Sequence, residues 1–520
     1  MIDRSNGHSL RSGFLDHSRR RPDAPALFVR GETLSYRELE IKARQFAAAI
    51  TQACNEKRPE RVGVFAYRSE TAYAGTLGAL CAGATFVPLN PTFPTEKTAG
   101  MIQRADLDVI IADSVCLPQI PAVVGESSGI PLILPESERS MAPLETLPPL
   151  TPEDIAYLLF TSGSTGVPKG VPVTHGNALH FMKVMSDRYG ITPDDRFSQT
   201  FDQTFDLSVF DQFMAWSNGA CVCSMSSVDL LAPTKFINQN KLTVWFSVPS
   251  VPALMSRRRT LVPDCMPTLR WSLFCGEPLL QSSAEAWQAA APNSIVENLY
   301  GPTELTIACL VHRWNTTESP PLCRNGVVPI GRPYDGLAVT VVDEYLKPVT
   351  EGEAGELCVS GPQTTPGYWR APETTAQRYV EIAVGRQETQ RFYRTGDLVE
   401  RHSSGDYIFL GRSDQQIKVL GHRMELGEIE AVLRSYSGVE EAVAFGLPVG
   451  SHSAESVVAF VFGNFGEADG LINYSRTLLP AYGVPRSIFS VQEVPLNPNG
   501  KVDRRALQER LASILAGNRE

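Results

Sequence analysis

Apolar positions in the first part of the chain fall into short β-rich runs, among them Arg61-Val-Gly-Val-Phe-Ala-Tyr67 and Leu107-Asp-Val-Ile-Ile-Ala-Asp113. These alternate with helix-like stretches such as Tyr36 to Thr51. That rhythm of strand, helix and strand predicts a parallel sheet covered by helices. Pro135-Glu-Ser-Glu-Arg-Ser-Met-Ala-Pro143 and Pro148-Pro-Leu-Thr-Pro152 interrupt the pattern and read as surface connections. From about Arg332 to Leu410 the pattern changes to short strands separated by Gly/Asp turns, which predicts an antiparallel β region. Beyond Gly411 helix and strand signals return, so a small C-terminal α+β domain is expected there. No internal repeat is present.

A chain of 520 residues exceeds what one hydrophobic core usually supports, so at least two domains are expected. With 43% hydrophobic and 20% charged residues the composition is that of a globular protein, and a net charge of -10 argues against a dedicated nucleic-acid binder. The N-terminal residues lack an apolar signal region, and no apolar run is long enough to span a bilayer, which predicts a cytoplasmic protein without a membrane partner. Ten scattered cysteines without a CxxC pair suit reduced, mostly buried thiols.

The most informative segment runs from Ile155-Ala-Tyr-Leu-Leu-Phe through Thr161-Ser162-Gly163-Ser164-Thr165-Gly166-Val-Pro-Lys169-Gly170. An apolar strand here enters a loop dense in glycine and hydroxyls, which can aim N–H and O–H groups at phosphate oxygens while Lys169 adds a mobile charge. It is not the loop of nucleotide hydrolases, because Lys169 follows Pro168 and precedes Gly170 rather than Ser or Thr. Further on, Asn499-Gly500 favours a tight turn that would present Lys501 at a hairpin tip.

The string Tyr-x-x-x-Thr-Ser-Gly-Ser-Thr-Gly-x-Pro-Lys-Gly resembles the signature of the superfamily of acyl-CoA synthetases, amino-acid adenylation domains and luciferases. Further blocks occur in that superfamily's order: Leu34-Ser-Tyr-Arg-Glu-Leu, Ala82-Gly-Ala-Thr-Phe-Val-Pro-Leu-Asn-Pro91, Phe205-Asp-Leu-Ser208, Asn298-Leu-Tyr-Gly-Pro-Thr-Glu304 and Gly355-Glu-Leu-Cys-Val-Ser-Gly361. They continue with Tyr393-Arg-Thr-Gly-Asp-Leu398, Gly411-Arg-Ser-Asp-Gln-Gln-Ile-Lys-Val-Leu-Gly421, Leu479-Pro-Ala-Tyr-Gly-Val-Pro485 and Asn499-Gly-Lys-Val-Asp-Arg504, so the resemblance spans nearly the whole chain.

The resemblance implies an α/β fold. A large N-terminal domain (1–411) would hold two doubly wound α/β subdomains and a β-barrel-like region; a small mobile α+β domain (415–520) would follow a hinge near Asp414. It also implies ATP and Mg²⁺ as cofactors. Thr161, Ser162, Gly163, Ser164, Thr165, Gly166 and Lys169 would contact the phosphates, with Thr303 near the α-phosphate and Glu304 on the metal. Asn298 would bond the adenine amino group and Tyr300 would stack on the base, Gly276, Glu277 and Gly301 would be further ATP/AMP contacts, and Asp397 and Arg412 would serve the ribose. Lys501, Lys169 and Thr161 would be catalytic, Lys501 bridging the substrate carboxylate and the α-phosphate. Asp414 and Gly421 would serve the rotation that admits a pantetheine thiol.

Because the nucleotide blocks are shared, the acid must be read from the pocket. Phe205-Asp206-Leu-Ser resembles adenylation domains in which the aspartate pairs with an α-ammonium group. Carried over position by position, the pocket is Asp206, Leu207, Phe210, Ser247, Leu273, Cys275, Leu299, Ile307, Ala308 and Lys501, an apolar lining suited to a short uncharged side chain. Phe205-Asp-Leu-Ser-Val and Phe274-Cys-Gly-Glu277 also resemble free-standing D-alanine–carrier-protein ligases, which implies alanine ahead of proline. Only 19 residues follow Lys501, without an attachment motif, so the expected partner is a separate phosphopantetheinylated carrier protein. An acid–CoA ligase and a non-catalytic nucleotide-binding partner protein remain the competing readings.

Overall fold

The computed structural model describes residues 9–125, 129–161, 168–383, 389–413, 416–448, 453–491, 495 and 502–517. Backbone contacts divide the chain into two compact units. The larger comprises Met1–Pro91, Met101–Phe160 and Gly170–Gly411; the smaller comprises Thr92–Gly100, Thr161–Lys169 and Arg412–Glu520.

In the larger unit the predicted strand–helix alternation yields two sheets with parallel cores. One has six strands in the spatial order Leu132–Ile133, Val109–Ala112, Arg61–Phe65, Thr85–Leu89, Ile155–Thr161 and Lys169–Thr174. The other has nine, and its parallel centre runs Ile295–Tyr300, Trp271–Phe274, Val244–Ser247, Arg196–Gln199, Cys221–Ser224 and Pro25–Val29. Antiparallel strands flank that parallel centre, Leu310–Arg313 and then Arg332–Pro333 on one side and Glu32–Ser35 on the other. The predicted antiparallel region is a five-stranded sheet in which the long strand Thr389–Arg401 pairs with Ala354–Ser360, Tyr379–Ala383 and Tyr407–Arg412.

Local sequence explains where the helices begin. Tyr36–Ala53 opens with a capping box in which Ser35 and Glu38 satisfy each other's backbone N–H groups. His175–Tyr189 opens the same way with Thr174 and Asn177, and ends at left-handed Gly190. Leu207–Ser217 is mostly apolar and buried along almost its entire length, as expected of a helix packed on more than one face.

The smaller unit is α+β. A three-stranded sheet of Val439–Leu447, Ser456–Gly463 and Pro485–Ser490 and a second of His422–Glu425, Gln416–Val419 and Ser453–Ala454 accompany helices Leu426–Arg434, Ala468–Leu478 and Arg504–Gly517. Its own apolar clusters centre on Val419, Ile429, Leu433 and Val457, and on Phe460, Leu507 and Leu511. Among the described residues no helix is long and apolar enough to cross a membrane, and none of the ten cysteines forms a disulfide, seven of them being buried.

Candidate active site

The central strands of the nine-stranded sheet end together at Ser247, Phe274 and Tyr300, and the predicted pocket residues gather at these carboxyl ends. Parallel pairing places Phe246 opposite Leu273, so the two share a face of the sheet. Leu207, Phe210, Phe246, Leu273, Cys275, Leu299, Ile307 and Ala308 all belong to one buried apolar cluster. Phe246 lies edge-on to Phe210, with ring centroids 5.1 Å apart, and to Phe201 at 4.9 Å.

Ser247, one of the predicted pocket residues, lies on the other face of its strand from Phe246. Side chains alternate along the strand, and Ser247 shares its face with Trp245, whose indole Nε1–H donates to Ser247 Oγ at 3.0 Å. Trp245 and Phe274 belong to a second apolar cluster, around Trp287. Phe246 therefore lies on the side of the predicted pocket residues Phe210 and Leu273. The signal that would have found it is the period of two in Val244–Ser247, anchored on its pairing with Leu273.

Asp206 precedes helix Leu207–Ser217, where an aspartate would ordinarily cap. Its backbone is already helical (φ −64°, ψ −23°) and its side chain makes no capping bond. The carboxylate is 6% exposed, and Oδ2 accepts the backbone N–H of Ile307 at 3.2 Å. Thus an acidic side chain is buried beside the apolar wall, on a helix N-terminus that favours negative charge.

The segment that supplies Ile307 is strained. Thr306 and Ile307 have φ of 58° and 72°, a left-handed region that costs β-branched residues roughly 1–3 kcal/mol each. This turn folds back on the preceding strand, where Cys309 N–H donates to Tyr300 O at 2.7 Å. Gly301 permits the approach, since a Cβ there would lie 2.5 Å from Ala308 Cα.

Among the predicted nucleotide contacts, Asn298 donates its side-chain amide to Pro329 O at 2.9 Å, which fixes the amide and sets Oδ1 as its acceptor end. Tyr300 donates its hydroxyl to Asp397 Oδ2. Burial and the adjacent Asp397 carboxylate push the Tyr300 phenol well up, so it stays a protonated donor. Left-handed Gly276 (φ 98°) precedes Glu277, whose Oε2 accepts Ser250 N–H at 2.8 Å. Thr303 and Glu304 form a 3₁₀ turn with Leu305. Glu304 is fully buried, and its Oε1 accepts the Tyr368 hydroxyl at 2.7 Å. A lone buried carboxylate fits a hard ion that takes most of its ligands from phosphate and water, and among the described residues no cluster of three acidic, histidine or cysteine ligands exists.

Thr161 ends strand Ile155–Thr161 and Lys169 begins strand Lys169–Thr174, the next in sequence. Ser162, Gly163, Ser164, Thr165, Gly166, Asp414 and Lys501 lie outside the described residues. Arg412 ends strand Tyr407–Arg412. Gly421 and Leu420 (φ 84° and 50°) form the two-residue loop of the hairpin that pairs Val419 with His422, a turn requiring positive φ at both positions.

Convergence of apolar walls and a buried carboxylate at the carboxyl ends of a parallel sheet defines a small-molecule-binding α/β protein. Comparison with known proteins then gives the family. Residues 14–369 match the model of the AMP-binding enzyme family, and residues 428–501 match that of the AMP-binding enzyme C-terminal domain. The chain belongs to the AMP-binding enzyme family. It is 34% identical over 509 residues to an L-proline--[L-prolyl-carrier protein] ligase of Streptomyces coelicolor, covering 92% of each chain. A Pseudomonas fluorescens protein of the same description is 32% identical, with 94% of this chain and 96% of that one covered. The Vibrio cholerae adenylation domain AlmE, solved with glycyl-adenosine-5'-phosphate, superposes with a TM-score of 0.84 at 29% identity, covering 98% of each chain. The expected preference for alanine over proline finds no support among these relatives.

Proposed function

We propose that this protein is an amino-acid adenylating ligase: the carboxylate of a small apolar amino acid, L-proline, attacks the α-phosphorus of ATP to give aminoacyl-AMP with release of pyrophosphate, and the aminoacyl group then passes to the thiol of a separate carrier protein with release of AMP. The observation that carries this reading is Asp206, buried against the apolar wall yet not capping its own helix. A buried carboxylate there favours a substrate with a positive charge and rejects acids that would leave it unpaired. Beside Asp206 the described lining is mostly apolar, and the paired rings of Phe210 and Phe246 would suit a pyrrolidine ring. Likeness to two L-proline ligases supports proline over alanine.

In this reading the α-ammonium sits on Asp206, and Asn298, Tyr300 and Asp397 hold the nucleoside. Thr161, Lys169 and the loop 162–166 receive the phosphates, while Lys501 offsets the charge that develops as the carboxylate attacks the α-phosphorus. Glu304 would hold Mg²⁺, which when bound would supply positive charge against the phosphates. By the same reading Arg412 would serve the ribose, and Asp414 and Gly421 would serve the rotation that admits the thiol. The domain boundary follows residue 411.

Substrate-dependent ATP–pyrophosphate exchange tests this across L- and D-proline, L- and D-alanine, glycine, β-alanine and short fatty acids. Exchange led by L-proline is the expected result, followed by loading of a phosphopantetheinylated carrier protein rather than CoA. Exchange led by alanine would overturn the proline assignment alone. Exchange with fatty acids, or silence across the panel, would overturn the amino-acid reading.

A further inference from the structure

Gln363 lies in the segment after strand Ala354–Ser360 and is fully buried. Its carboxamide Nε2 faces three backbone carbonyls of the strained turn: Ala308 O at 2.7 Å, Leu305 O at 3.1 Å and Thr306 O at 3.4 Å. Only the NH₂ end can face three acceptors, so the amide's orientation is set by its surroundings, and Oε1 turns to His180 Nδ1 at 3.3 Å. The backbone adds two more ties, Thr306 Oγ1 to Gln363 O at 2.7 Å and Thr365 N to Glu304 O at 3.0 Å. The segment is itself held, since Asn177 Nδ2 donates to Pro362 O at 2.7 Å and contacts Thr364 O at 3.3 Å.

Two successive β-branched residues do not keep a left-handed backbone by their own preference. In this structure the surrounding bonds hold them, and Gln363 supplies most of the side-chain share. The turn in question delivers the Ile307 N–H to Asp206 and places Ile307 and Ala308 in the pocket wall.

We propose that Gln363 is a positioning residue for amino-acid selection: its buried carboxamide holds the left-handed Thr306–Ile307 turn and through it the orientation of Asp206 and one wall of the pocket. The proposal rests on the reading of Asp206 as the ammonium partner. Its side chain bonds the turn and His180, so its loss is expected to act on the amino acid, through Asp206 and the wall, more than on the nucleotide.

The test is ATP–pyrophosphate exchange on the full chain, with the amino acid and ATP titrated separately. Gln363→Leu keeps the shape and removes the donors; Gln363→Asn keeps the amide but is too short to reach Ala308 O. Gln363→Leu is expected to raise the amino-acid KM about 10- to 100-fold, with ATP KM and kcat each changing less than about threefold. Gln363→Asn should raise it by an intermediate factor, and carries the test should the leucine variant not fold. A third variant, Thr306→Gly, makes one left-handed position free of steric cost, so adding it to the Gln363 variant should give a smaller KM rise than the two single effects combined. Folded variants with an unchanged amino-acid KM, or with both KM values raised in proportion, would overturn the proposal. Wild-type protein that shows no amino-acid-dependent exchange would overturn the Asp206 reading and this proposal together, which separates the two failures.

Discussion

Ile307 donates its backbone N–H to Asp206 Oδ2, tying a strained turn to the first residue before a buried helix. That bond leaves the carboxylate oriented by the protein before any substrate arrives. Asp206→Asn keeps the shape and an oxygen for Ile307 but removes the charge. Losing one partner of a buried charge pair costs roughly 3–5 kcal/mol, so the amino-acid KM in pyrophosphate exchange should rise at least about 100-fold. Affinity for ATP, measured by titration without amino acid, should stay within about threefold. Unchanged amino-acid KM would remove Asp206 from the site.

Phe246 and Ser247 are neighbours on one strand and face opposite sides of the sheet. Phe246→Ala opens the wall shared with Phe210. It should lower kcat/KM for proline about 10- to 100-fold while improving relative use of larger apolar amino acids. Ser247→Ala removes an acceptor from Trp245 and should leave that selectivity within about threefold. A selectivity change in the serine variant alone would restore Ser247 to the pocket.

These two positions also mark what sequence can tell and where it stops. The phosphate loop, Asn298, Tyr300 and Asp397 sit in contiguous strings, so their chemistry is readable wherever the string occurs. The alternation of strands and helices likewise carries over into two sheets with parallel cores. Ser247 lies in a stretch without such a string, and a shift of one residue along a strand turns a side chain from one face to the other. The Asp206–Ile307 bond and the Gln363 ties join residues 101 and about 55 positions apart, and no local pattern announces contacts made by folding alone. Left-handed Thr306 and Ile307 are hidden for a related reason, because neither residue type predicts that conformation.

Tyr300 gives its hydroxyl to Asp397, so ring and hydroxyl can be tested apart. Stacking of an aromatic ring on a base is worth about 1–3 kcal/mol, so Tyr300→Ala should raise the ATP KM about 10- to 100-fold. Tyr300→Phe keeps the ring and should change it by less than about threefold, with the amino-acid KM steady in both variants. Equal losses in the two variants would place the hydroxyl, and its hold on Asp397, ahead of stacking.

His175 begins helix His175–Tyr189 and is fully buried. Its Nδ1 accepts Leu10 N–H at 3.0 Å, so the neutral ring carries its proton on Nε2, which has no hydrogen-bond partner among the described residues. Burial above all, and then the nearby Arg11 charge, push the imidazole from 6.5 down to about 4. As pH falls through 6.5 the unfolded chain takes up a proton that the folded chain refuses until about 4. The stability associated with the neutral ring is therefore fully present above 6.5 and is lost progressively toward about 4. His175→Asn keeps an acceptor for Leu10 and does not titrate. Urea unfolding from about pH 4.5 to pH 8 should show the wild type losing roughly 2–3 kcal/mol more than this variant on acidification, a difference that separates His175 from the other buried histidines. Parallel stability curves for the two proteins would mean that His175 titrates alike folded and unfolded.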